Sequence, residues 1–427
     1  LGCGGLLDRD ARIRGTSIYL PDRAIPMLPE ILSNHLCSLV PHEPRFTLTC
    51  EMEISPQGKI LSTSIYPSII KSAARLTYTT VSALLENGRR DLMDSKIEDM
   101  LFVAHELSLI VRRARNEKGA LDLDLPEPEM KLLPSGDIEG IALSERNEAH
   151  RLIEDFMILA NEAVSEAIER VEYQNIFRVH EDPDPAKIDR LKNVIKQWGF
   201  KLSEKKDLVD SLQDYLNSVR GHANEKMLVV SLLRSLKQAQ YSASNVGHFG
   251  LGSESYCHFT SPIRRYPDLM VHRILRKSDF LKHEKSPYTF EELSEIASSC
   301  SETERRAFLA ERDMEDLKKV RFMAAHKGKT FEGVVVSAKN FGLFVEIMPH
   351  FIEGLIPIRM LPHDFWQTDE HEIALIGRRS KAKFRIGDRI RIQVVEVDRL
   401  KKQITLRPLG QSGDDRASSR KYEKYKK

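Results

Sequence analysis

The stretch "HFTSPIRRYPDL", His258 to Leu269, sets Arg264 and Arg265 side by side between Pro262 and Pro267. A guanidinium keeps its charge and presents a rigid fork of donors that matches a phosphate. Flanking prolines lower the entropy lost in holding such a group at one point. Two readings stay open on these residues alone: an anion site, or a structural ion pair such as Arg265 with Asp268. The overlapping "GHFGLGSESYCHFT" supplies Gly247, Gly250 and Gly252, which permit close backbone approach. His248, Tyr256, His258 and Phe259 there offer flat or polar surfaces.

A second candidate lies in "KNFGLFVEI", where Phe341 and Phe344 flank Gly342. On a small barrel such aromatics serve as stacking platforms for bases. Lys339, Arg359 and the run "RRSKAKFRIGDRIRI" would draw phosphates. The alternative is that both rings are core. Phe341 and Phe344 cannot both sit on the Leu343 side of an alternating strand, so at least one ring is expected to be exposed. Other clusters read as structural. His248, His258 and His272 lack zinc-ligand spacing. In "HEDPDPAKID", prolines interrupt Asp182, Asp184 and Asp189, and the stretch reads as a turn into a helix whose N-terminus favours acids.

The elements that must carry these groups follow from periodicity. "RFTLTCEMEIS" and "KILSTSIYPSII" around Pro56-Gln57-Gly58 read as a hairpin. "SERNEAHRLIEDFMILANEAVSEAIERVE" reads as a helix with Ser144 as its cap. Its expected apolar face is Ile153, Met157, Ala160, Val164, Ala167 and Val171, with His150, Glu154, Met157 and Asn161 on a neighbouring stripe. A second long helix, "SETERRAFLAERDMEDLKKVRFMAA", puts Glu304, Phe308, Glu311 and Glu315 on one face. From about Lys327 the chain turns to short alternating strands, which suit a five-stranded OB barrel. The expected division is a core over 1–325, a barrel over 326–410 and a basic disordered tail over 411–427.

The chain has 427 residues and a formal net charge of +2, so nucleic-acid binding would rest on local basic clusters. Its five cysteines are scattered without a C-x-x-C pair, which suits a reducing cytoplasm. No stretch is long and apolar enough to be read as a membrane span.

"HFGLGSESYCHFTSPIRRYPDLMVHRIL" resembles the signature segment of the RNB family of exoribonucleases, closest to its ribonuclease R branch. "ARIRGTSIYLPDRAIPMLPEILSNHLCSL", "ARLTYTTV", "AHRLIEDFMILAN", "FRVHEDPDP" and "AERDMEDL" match further blocks of the family in order, and the barrel resembles an S1-type RNA-binding domain. The resemblance implies an α/β mixed RNB catalytic core followed by a small all-β OB barrel. It implies hydrolysis of single-stranded RNA from the 3′ end, processively, to nucleoside 5′-monophosphates. Arg264 matches the arginine on the scissile phosphate, Tyr19 the tyrosine against the terminal nucleotide, and Tyr78 a residue near the terminal sugar. Glu154 and Glu311 match glutamates of the last steps of the channel. Single-stranded RNA is the implied partner, with ribosomes or RNA-decay proteins beyond it, and the implied form is a cytoplasmic monomer.

Two departures stand out. A family phenylalanine that helps to sandwich the last base is here Leu123. The family binds Mg²⁺ through an aspartate cluster several dozen residues before the block that here reads "RGTSIYLP", and no such cluster precedes it in this sequence; Asp8 and Asp10 have the wrong spacing. The expectation is a core truncated at its front, without metal ligands. The competing expectation is a non-catalytic single-stranded RNA-binding protein with a degenerate RNB fold.

Overall fold

The computed structural model describes residues 4–409 apart from 124–126, 145, 223, 279, 281–284 and 370–372. The basic tail over 411–427 lies outside the described residues. Helix α1 (Leu6–Arg14) leads into the short hairpin β1 (Ile18–Leu20) and β2 (Arg23–Ile25). The long hairpin β3 (Pro44–Ile54) and β4 (Ile60–Lys71) follows, as the alternation predicted. Helices α2 (Tyr78–Leu85) and α3 (Ser95–Glu117), hairpin β5 (Glu127–Leu132) and β6 (Ile138–Ser144), and helix α4 (Glu148–Arg170) come next. Then β7 (Phe177–Val179), α5 (Pro185–Lys196), α6 (Leu208–Val219), α7 (Glu225–Ser235) and β8 (Gln240–Ser242) lead to α8 (Tyr266–Lys277) and the 35-residue α9 (Phe290–Ala324).

Local chemistry explains several boundaries. Asp184 caps α5 by accepting from the Ala186 amide at 2.9 Å, with Pro185 in the first turn. The "HEDPDPAKID" stretch is therefore the turn and helix start that its acids and prolines suggested. Helix α9 opens on a capping box between Thr289 and Glu292. Helix α4 differs from expectation. Its cap is Asn147, whose side chain accepts from the His150 amide, while Ser144 ends β6. Of the six residues expected on its apolar face, Val164 alone is fully buried and Ile153 is exposed. The buried face instead carries Leu152, Ile158, Leu159 and Ile168 together with Asp155, Asn161 and Ser165. Three hydrogen-bonded polar side chains displace the apolar pattern from the true face.

One core gathers Val164 and Ile168 of α4, Met270, Ile274 and Leu275 of α8, and Leu293, Ile296 and Ala297 of α9. At its far end α9 gives Val320 and Met323 to a second core inside the barrel. A single helix thus belongs to both cores. The barrel is closed in the order β10-β11-β16-β15-β9, with β9 (Thr330–Lys339), β10 (Gly342–Met348), β11 (Ile352–Pro357), β15 (Arg389–Asp398) and β16 (Gln403–Pro408). The sequence reading missed a separate sheet of β12 (Trp366–Thr368), β13 (Ala374–Gly377) and β14 (Lys383–Arg385). No helix of the described residues is long and apolar enough to cross a membrane.

Candidate active site

A cleft of about 840 Å³ opens between β1, α3, the β5–β6 hairpin and α4. Tyr19, Leu123, Glu154 and Glu315 line it, with Arg112, Arg115, Arg146 and Arg151. Tyr19 presents its ring from β1 and is 52% exposed. Its backbone N–H donates to Glu311 Oε1 of α9 at 2.6 Å. Glu154 accepts from Arg146 Nη2 at 2.5 Å. Tyr78 stands at the start of α2 and stacks on His150, another lining residue, with ring centroids 3.9 Å apart and planes 21° from parallel. Of the sequence-chosen residues, Tyr19 and Glu154 line the cleft, while Tyr78 and Glu311 each contact a lining residue, His150 and Tyr19.

The arginines on the cleft wall were not anticipated. Asp155 is 1% exposed and takes Arg112 Nε at 2.9 Å and Arg115 Nη2 at 2.9 Å, with Ser108 Oγ donating at 2.7 Å. Glu148 accepts from Arg112 Nη1 at 3.0 Å. Burial opposes the charge on Glu148, but Arg112 beside it holds the carboxyl below its usual range. This network fixes two guanidinium groups at the wall of the cleft. The available signal was "VRRARNE", where Arg112 and Arg115 share a helix face three residues apart.

The paired arginines of the opening motif part company. Arg265 is the structural one: its Nη2 meets Asp268 Oδ1 at 2.8 Å, and that carboxyl is fully buried. Arg264 is exposed on the preceding turn and makes no side-chain hydrogen bond or ion pair among the described residues. Its carbonyl accepts from Ser17 N at 2.9 Å and Thr16 Oγ at 3.1 Å. Arg264 is not part of the cleft wall, but its backbone is pinned to the chain two residues before Tyr19. Gly15 makes that pinning possible, with φ 69° and its carbonyl accepting from the Tyr266 amide at 2.9 Å.

The glycine-rich segment serves the protein's own packing. A Cβ on Gly252 would meet the Lys118 carbonyl at 2.8 Å, and one on Gly250 would meet His180 Nδ1 at 3.0 Å. Tyr256 and Phe259 are buried rather than displayed, because Asn161 receives the Phe259 amide and donates to the Tyr256 hydroxyl, each at 2.9 Å. Asn161 thus leaves the stripe it was expected to share with Glu154. His258 bonds the Tyr241 hydroxyl at 2.9 Å, and His272 the Phe259 carbonyl at 2.8 Å. Burial drives both imidazoles toward the neutral form, His258 strongly.

Asp8 is buried, accepting from Arg273 Nη2 at 2.5 Å and the Tyr266 hydroxyl at 2.9 Å. Asp10 pairs with Arg14 at 3.0 Å. Among the described residues, no group of three or more His, Cys, Asp or Glu side chains is placed to hold a metal ion. The described residues do not fit the Mg²⁺ site that the resemblance implies.

On the barrel, Leu343 is fully buried while Phe341 is 56% exposed and Phe344 half-buried. The two rings meet edge to face at 5.9 Å. Phe365, beside the unforeseen sheet, is also exposed and lies under the Arg379 guanidinium at 5.0 Å.

A mixed core with such a cleft, joined by one helix to a five-stranded barrel, defines the class. The RNB domain model matches residues 3–278 and the S1 RNA binding domain model residues 325–407. The chain belongs to the RNB family. It is 40% identical to Ribonuclease R 1 of Lactococcus lactis over 93% of this chain and 49% of that protein. It is 41% identical to ribonuclease R of Thermotoga maritima over 94% of this chain and 57% of that one, and 38% identical to the Escherichia coli protein over 92% and 50%. The chain spans about half the length of the curated relatives it matches. Mycoplasma genitalium RNase R superposes with a TM-score of 0.90 at 30% identity, both in its apo form and in complex with ribose-methylated single-stranded RNA, over 96% of this chain and 65% of that one. Yeast Ssd1, a pseudonuclease, shares the fold at a TM-score of 0.69 and 21% identity over 88% of this chain and 46% of that one.

Proposed function

We propose that this chain grips single-stranded RNA by its 3′ end as part of a ribonuclease R-like 3′–5′ exoribonuclease, which hydrolyses RNA processively to nucleoside 5′-monophosphates. Residues 1–325 form the core and 326–410 the barrel. Tyr19 stacks on the terminal base, held at its amide by Glu311. Tyr78 faces the terminal sugar. Glu154 lines the last step of the path, and the pinned Arg112 and Arg115 draw phosphates inward. Arg264 meets the scissile phosphate, where a fixed guanidinium offsets the charge that grows as the phosphorus is attacked. Phe341 and Phe344 stack on bases further from the 3′ end. The observation that carries this reading is that Tyr19 and Glu154 line one arginine-walled cleft, with Tyr78 and Glu311 in contact with its lining residues.

A second reading is a single-stranded RNA-binding protein without hydrolysis, favoured by the lack of a metal-holding cluster among the described residues. Incubation of the purified chain with poly(A) and Mg²⁺ separates the two, with binding and released nucleotides measured together. Mononucleotide release supports hydrolysis. Binding without release supports the second reading. Failure to bind contradicts both.

A further inference from the structure

We infer that Lys318 of α9 is a positioning residue for the cleft. Its ammonium latches the two hairpins that help to wall the cleft onto one helix, and so sets how long a bound strand is held. The inference rests on the proposal that the cleft receives RNA.

Lysine is among the residues least often buried, and an ammonium withdrawn from water must be paired and hydrogen-bonded. Lys318 is 8% exposed, so the identity of its partners matters. Its Nζ donates to the Gly136 carbonyl at 2.6 Å and to Asp22 Oδ2 at 3.4 Å. Gly136 lies in the turn between β5 and β6, with φ 81°. Asp22 lies in the turn between β1 and β2. One ammonium therefore joins the tips of two separate hairpins.

Both hairpins contribute to the cleft. Tyr19 and Pro21 line it from β1 and its turn, and Pro128, Glu129 and Met130 line it from β5. Glu311, Glu315 and Lys318 stand at i, i+4 and i+7, on one face of α9. Glu311 accepts the Tyr19 amide, Glu315 lines the cleft, and Lys318 ties the two turns. Beyond the latch, Ile141 of β6 packs against the barrel core. The β5–β6 hairpin thus runs from the cleft to the barrel and is fastened to α9 on the way. Without the ammonium the two hairpins are free to part. A bound strand then escapes faster, while its arrival, set by diffusion and surface charge, changes little.

The test uses the whole chain without added metal, so that binding is read apart from hydrolysis. Stopped-flow anisotropy gives association and dissociation rates for a short 5′-fluorescein single-stranded RNA. Hydrogen exchange read by mass spectrometry follows the β1–β2 and β5–β6 peptides. Lys318→Met keeps the side-chain length and removes the donors. It should raise the dissociation rate about ten-fold, leave association within about two-fold, and speed exchange in both hairpins. Asp22→Ala removes one of the two partners and should loosen β1–β2 alone, with a smaller rise in dissociation. A Lys318→Met protein that loses stability to denaturant yet keeps the wild-type dissociation rate overturns the inference, because the lysine is then a structural tie only. Faster dissociation without faster hairpin exchange overturns it as well. If Lys318→Met does not fold, Asp22→Ala decides, and unchanged dissociation and β1–β2 exchange in that variant overturn the inference. In each of these cases the wild type still binds RNA and the proposed function stands. A wild type that does not bind RNA removes the proposed function and this inference with it.

Discussion

The Tyr19 amide and the Glu311 carboxylate, 292 positions apart in the chain, are joined by a hydrogen bond of 2.6 Å. That bond ties the short strand carrying the cleft's exposed ring to the helix that runs on into the barrel core. Glu311→Ala should free the strand and weaken binding of a short 3′-end oligonucleotide about five-fold, the equivalent of about 1 kcal/mol for one partly exposed charge-assisted bond. Glu311→Gln keeps an acceptor and should lie close to wild type. Titrating the two variants side by side decides whether the acceptor or the charge matters.

Arg264 and Arg265 should respond oppositely to alanine. Arg264 has an exposed side chain without a protein partner among the described residues, so Arg264→Ala should leave thermal stability within about 0.5 kcal/mol. It should reduce the salt slope of RNA binding by about 1, the signature of one lost phosphate contact. Arg265→Ala strands the fully buried Asp268 carboxylate and should destabilise the chain by about 3 kcal/mol. Chemical denaturation and salt titrations of both variants check the contrast.

The buried Asp155 is the anchor of the cleft wall. Asp155→Ala leaves Arg112 and Arg115, whose side chains are 16% and 13% exposed, without their shared carboxylate. A loss of about 3 kcal/mol is expected, with Arg115→Ala in the same background adding much less than it does alone. Additive effects in that double-mutant cycle would show that the network is not one unit.

Acid should weaken the fold before its carboxylates titrate. Burial holds His248 down at about 3, and it lowers His180, His258, His272 and His350 from the usual 6.5. Below pH 6.5 the unfolded chain takes up protons that the folded chain refuses, so stability falls as pH falls. Each such histidine contributes a slope of up to about 1.4 kcal/mol per pH unit. Burial raises Glu162 and Glu353 instead, and they oppose the trend in smaller number. The midpoint of denaturant unfolding should therefore drop between pH 6.5 and pH 5; a flat profile there would mean that these imidazoles are hydrated.

Much of this arrangement was legible in the sequence, and the exceptions have physical causes. Strand alternation gave the β3–β4 hairpin and the barrel, because half-buried strands leave a period of two. Phe341 is exposed because it sits in the turn just before β10, outside the strand whose Leu343 faces inward. Helix α4 misled because Asp155, Asn161 and Ser165 sit on its buried side, where a hydrophobic count cannot see them. The arginine wall was hidden for the same reason: its meaning depends on a carboxylate 43 residues away from Arg112. The β12–β14 sheet is three very short strands, below the length at which alternation is visible. In the glycine-rich loop the residue types were right for close approach, but what approaches is the chain itself.

The proposed function requires the cleft at Tyr19 to receive the 3′ end of single-stranded RNA. Photocrosslinking of an oligonucleotide carrying 4-thiouridine as its last nucleotide, with adducts mapped by mass spectrometry, tests it most directly. Adducts are expected on Tyr19, Tyr78 or their cleft neighbours, lost on competition with unlabelled RNA. Adducts confined to Phe341 and Phe344 on the barrel, with the cleft unlabelled, would contradict it.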